Sequence, residues 1–214
     1  AGTVESIAEI TDKTLYDCHR AFYAPSNMTL CIEGDVDPQA MMDIAFEELP
    51  GELRSVPKAD FGPDEGELPV QQYLREEMPV SAPQFLIGAK VRPAPGGSES
   101  LRQQLVSMLA MRLLASSSSP FYTRLYSDGL LNRDFDYEVD FTAGTATIII
   151  GGESGEPERV LDELKKEVAR IEREGFGADA FERAKRASLG ARLRGLEDFD
   201  NVCIALAEGE FSGF

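Results

Sequence analysis

The chain has 214 residues, 43% of them hydrophobic and 28% charged, with a formal net charge of −17. That is long enough for one large domain or two smaller ones with real cores, and too apolar for a disordered chain. A surface this negative repels phosphate backbones and anionic lipid, which argues against nucleic acid and membrane surfaces as partners.

No apolar run is long enough to span a bilayer, and no basic-then-apolar start marks a signal peptide. The opening AGTVESIAEI lacks an initiator Met and reads as a processed chain or an excised fragment. Cys18, Cys31 and Cys203 are odd in number, far apart and set among apolar residues. They are expected to be buried free thiols in a reducing, cytoplasmic compartment.

In chain order, residues 12–23 place Leu15, Cys18 and Phe22 at helical spacing, with Thr11 as N-cap and Pro25 just past the end. MTLCIEG alternates and predicts a strand. Asp37-Pro38 opens a second helix through Met41, Ile44 and Ala45 to Leu49, so residues 1–50 read as α-β-α. Residues 51–69 are acidic and crowded with Pro and Gly, the composition of a linker. The second unit then occupies residues 70–214. QQYLREEM and PQFLIGAKV predict two strands, and a long helix spans about Glu99 to Ala115. Serines 116–119 break that helix, and Ser119-Pro120 caps a shorter one to Gly129. DFDYEVDF and TATIIIGG flank Ala143-Gly144 as a hairpin. Pro157 opens a helix with Val160, Leu161, Leu164, Val168 and Ile171 on one face; Gly175 closes it, and residues 178–208 are helical. Paired strands and flanking helices predict an α+β fold, a mostly antiparallel sheet with helices packed on one face.

Chemistry-bearing motifs are few. The single histidine, His19, cannot supply the two nitrogen ligands and carboxylate of a zinc peptidase, and adjacent Cys18 points about 100° away on a helix. No GxSxG, no oriented Cys-His pair and no phosphate loop is present, so no catalytic and no metal-ligating residue is assigned. Asp35-Val-Asp37 resembles part of a calcium loop, but Asp37 has a better use as a helix cap. In DFDYEVD, Asp134, Asp136, Glu138 and Asp140 share one strand face, and Phe135, Tyr137, Val139 and Phe141 the other. This is the pattern of a half-buried strand with a solvated acidic face; the functional alternative is a cleft wall that meets a basic peptide.

PSNMTLCIEGDVDP, preceded by an amphipathic helix ending in Phe22-Tyr23, resembles a recurring unit of the insulinase/pitrilysin metallopeptidases, in particular their divergent two-domain bacterial members. The resemblance implies a metallohydrolase-like, mitochondrial processing peptidase-like fold. It places the inverted zinc motif HxxEH and the third ligand upstream of Ala1, with zinc in the parent protein and none on this chain. Residues 1–50 then close the zinc-bearing domain, and residues 70–214 form a second, non-catalytic domain that is incomplete at its C-terminus. The family's second domain carries an Arg followed by a Tyr seven positions on, which contact substrate. Anchored on Leu125-Tyr126, the Tyr falls at Tyr137, while the Arg position falls on Leu130 and Arg133 is out of register. The implied function is the non-catalytic portion of a zinc metalloendopeptidase, inactive alone, helping to enclose peptide. The alternative is a structural or accessory interaction module of the same fold. Implied partners are a peptide substrate or a homologous subunit. Shared topology further implies that residues 28–34 pair into the sheet of residues 70–152, within one chain or by swapping in a homodimer.

Overall fold

At several helices a polar residue just before the first turn decides where the helix starts, because its side chain takes up a backbone N–H that the turn leaves unpaired. The computed structural model describes residues 2–49, 55, 60, 66–141 and 145–212. After α1 (Val4–Ala8), Thr11 accepts the Thr14 N–H at 3.2 Å and opens α2 (Asp12–Phe22). Asp37 accepts the Ala40 N–H at 2.8 Å, and Pro38 begins α3 (Pro38–Glu48). The expected linker, 51–69, lies largely outside the described residues.

Two packed units make up the chain, residues 1–64 with 198–208, and residues 65–197 with 209–214. The first holds α1, α2, α3 and most of α8 (Phe199–Ser212). Among its described residues Ala24 is the one fully buried apolar side chain. The apolar stripe of α2 is instead exposed, with Leu15 at 63% and Phe22 at 48%.

Three expectations are corrected here. Residues 28–34 form no strand, and the described sheet does not include them. Alternation states which side chains share a face; it does not supply a ladder partner. Residues 71–78 also form no strand; polar side chains hold them instead, Gln71 donating to the Tyr73 carbonyl at 2.7 Å and the Tyr73 hydroxyl to Glu158 at 3.4 Å. Cys18 is exposed, since it rides on the uncovered stripe of α2, and Cys31 and Cys203 are half-buried.

The second unit carries the core. Its strands are β1 (Gln84–Lys90), β2 (Asp136–Asp140) and β3 (Thr147–Glu153), all antiparallel, in the order β1-β3-β2. The β2–β3 hairpin forms as expected, although its Ala143-Gly144 turn lies outside the described residues. Between β1 and β2 run α4 (Gly97–Ala115) and α5 (Pro120–Ser127), the latter capped by Ser119, which accepts the Tyr122 N–H at 3.0 Å. After α5, Gly129 adopts φ 73°, a left-handed turn that costs glycine least, and Leu130 and Leu131 enter the core beyond it. β3 leads to α6 (Pro157–Glu174) and α7 (Ala178–Gly195).

Met111, Phe121, Leu125, Phe135, Ile150, Val160 and Leu164 form the core cluster, with Phe85, Ile87, Tyr137, Val139 and Ile148 packed against it. Those strand residues all sit on one face of the sheet, so the helices cover that face and the α+β expectation holds. Among the described residues, no helix is long and apolar enough to cross a membrane.

Candidate functional site

Register decides what the other face presents. Leu86 stands opposite Gly151, which stands opposite Asp136; in the next row Gly88, Ile149 and Glu138 align in the same way. Each row therefore has one apolar side chain, one glycine and one carboxylate. Leu86 is 79% exposed, and its side chain lies across Gly151, where a Cβ would stand 2.7 Å from Leu86 Cδ2. The result is an open trough of about 510 Å³ along this face.

Four carboxylates line it, Asp134, Asp136, Glu138 and Glu153, and no basic side chain does. Asn132 bridges one end, donating from Nδ2 to Asp134 at 3.2 Å and to Glu153 at 3.0 Å. Asp136 accepts the N–H of Tyr137 at 2.8 Å. None of the four carboxylates has an ion-pair partner among the described residues. Such a surface has apolar area for a side chain and charge for a cation.

Tyr137, the residue singled out from sequence, borders the trough but points its ring to the helix side, half-buried against the core with Val139. Burial pushes its phenol above the ordinary tyrosine value; the charge of Arg112 on α4 opposes this, and Asp136 adds to it. Leu130, at the register of the family's Arg, is buried in the core, while Arg133 is exposed in a turn. The structure does not bring Arg133 and Tyr137 together on the open face. The Leu86–Ile149 floor was missed from sequence: QFLIGAKV and TATIIIGG are continuous apolar runs, and nothing in them says which residues face out. The acidic rim was legible from the alternation in DFDYEVD.

Residues 9–188 match the sequence profile of the peptidase M16 inactive domain. The chain belongs to this family. The insulinase/pitrilysin resemblance drawn from PSNM and its flanks is thus correct. An uncharacterised zinc protease of Bacillus subtilis, YmfH, is 33% identical over 200 residues, covering 92% of this chain and 46% of that protein. A crystal structure of an M16-like peptidase from Alicyclobacillus acidocaldarius superposes with a TM-score of 0.84 at 26% identity, over 99% of this chain and 51% of that one. A protease from Helicobacter pylori shares the fold at a TM-score of 0.78 and 17% identity, over 99% of this chain and 52% of that one. This M16 chain spans about half the length of the relatives it matches.

Zinc in the name of the Bacillus relative raises the question of ligands here. The residues present do not fit a zinc centre. His19, the sole histidine of the sequence, lies on α2 and stacks on Tyr23 with ring centroids 4.8 Å apart. Among the described residues, no three His, Cys, Asp or Glu side chains come together to hold a metal.

Proposed function

We propose that this M16 inactive domain serves a zinc metalloendopeptidase as a non-catalytic wall, enclosing peptide opposite a zinc site held by polypeptide outside this chain. The observation that carries the reading is the open sheet face, an apolar floor with an acidic rim that has no ion-pair partner among the described residues, on a domain of this family. A wall needs no nucleophile or metal of its own; it supplies contact area and holds the peptide's backbone and side chains for the reacting centre. Tyr137 keeps the register of the family's substrate-contacting Tyr, and its half-buried ring limits that contact to the edge of the trough.

The test uses the whole parent protein. Leu86→Lys should leave the melting temperature unchanged and reduce kcat/KM for peptide hydrolysis at least about tenfold, since it removes the floor of the trough. Unchanged turnover overturns the wall reading, and a parent that cleaves no peptide at all supports the structural or accessory module instead. The same reading carries a reducing cytoplasm, where exposed Cys18 stays a thiol. It also leaves residues 28–34 to pair with a homologous subunit or with a second copy; light scattering of the purified chain distinguishes monomer from swapped dimer.

A further inference from the structure

We infer that the trough selects an extended cationic peptide, seating an apolar side chain between Leu86 and Ile149 with Arg or Lys side chains on Asp136 and Glu138. This rests on the reading of the open face as a peptide wall and adds the class of peptide. Asp136 and Glu138 are two residues apart on β2 and both exposed, so they stand about 7 Å apart, the same-face spacing of an extended chain. A peptide alternating basic and apolar residues lying along the strand matches both features. Leu86 itself lies across Gly151, whereas Gly88, with nothing within 4 Å of a Cβ there, leaves depth beside Ile149 for one apolar side chain of the ligand.

Charge decides the occupant. The four carboxylates flanking the floor have no ion-pair partner among the described residues, and Lys90, one row beyond Glu138 on this face, donates to the Gly66 carbonyl at 3.3 Å. An anionic peptide is repelled by each of those carboxylates. A neutral one leaves their potential unused. A basic one gains ion pairs at the rim, where the pairs set selectivity and association rate more than raw affinity.

The experiment measures fluorescence anisotropy of labelled heptapeptides, Gly-Arg-Leu-Arg-Leu-Arg-Gly and its Gln and Glu counterparts, titrated with the full chain. The Arg peptide should bind saturably, the Gln peptide at least about tenfold more weakly, and the Glu peptide not at all. The double variant Asp136→Asn with Glu138→Gln should weaken the Arg peptide about tenfold and bring it level with the Gln peptide, with melting unchanged. Glu172→Gln with Asp179→Asn removes the same charge from exposed positions on α6 and α7, outside the trough, and should leave binding intact. Equal binding of the Arg and Gln peptides overturns the cation selection while the wall reading stands. Failure of all three peptides to bind overturns both. Equal losses in the two double variants show adsorption to net charge and overturn the proposal.

Discussion

Gly152 meets Phe135 backbone to backbone: a Cβ on the glycine would stand 3.0 Å from Phe135 Cα. The neighbour is main chain and cannot swing aside. Gly152→Ala is therefore expected to destabilise the second unit by about 1–3 kcal/mol, as overpacking does. Gly155→Ala, with nothing within 4 Å of the new methyl, should stay within about 0.5 kcal/mol. Urea denaturation of the two variants measures the contrast.

Leu125 and Leu86 separate core from floor. Leu125 is fully buried between α5 and its neighbours, so Leu125→Ala should cost about 2–5 kcal/mol. Leu86 is exposed, and Leu86→Ala should fall within about 0.5 kcal/mol. A large loss at Leu86 would mean that something covers the trough.

Glu163 on α6 is held below the ordinary glutamate value of 4.5, first by its hydrogen bond from Lys166 and then by that from Arg124 on α5, each at 2.7 Å. A lowered carboxylate stabilises the fold fully above its unfolded value and loses that contribution as the pH falls through the folded one. Arg124→Met should thus lower the melting temperature near neutral pH, and the gap to wild type should close as the pH drops below 4.5. A gap that persists in acid would assign the effect to lost packing of the Arg stem.

Tyr137→Phe removes a hydroxyl that has no hydrogen-bond partner among the described residues, so thermal stability should change little near neutral pH. Because burial raises this phenol above 10.0, its contribution is fully present below that value and fades as the pH climbs through the raised one; wild type should lose stability in strong alkali and the Phe variant less. In the parent protein, lost turnover with unchanged melting identifies Tyr137 as a substrate contact. Normal turnover assigns it to packing.

The isolated chain should carry well under one zinc per molecule after dialysis against a chelator, measured by elemental analysis. Stoichiometric tight zinc would require ligands that His19 and its surroundings do not provide.

Helices were legible because their signals are local. Thr11, Asp37 and Ser119 each cap a helix within three residues of their own position. The alternation in DFDYEVD likewise told which side of β2 is wet, since period two needs no partner to be read. What could not be read is pairing. MTLCIEG alternates as cleanly as a strand, yet residues 28–34 have no ladder among the described residues, and QQYLREEM ties itself through Tyr73 and Glu158 instead. The trough is non-local in the same sense. Leu86 and Ile149 lie far apart in sequence, and only the β1–β3 register sets them in adjacent rows.

That register has a consequence for the order of assembly. β3 is the middle strand, joined to β2 by a short hairpin and to β1 across two intervening helices. Closing the hairpin costs little loop entropy; bringing β1 home closes the much longer stretch from Val91 to Ala146. The β2–β3 amides should accordingly gain protection early in refolding and those of β1 late. The floor residue Leu86 would then be the last piece of the trough set in place, after the acidic rim already stands.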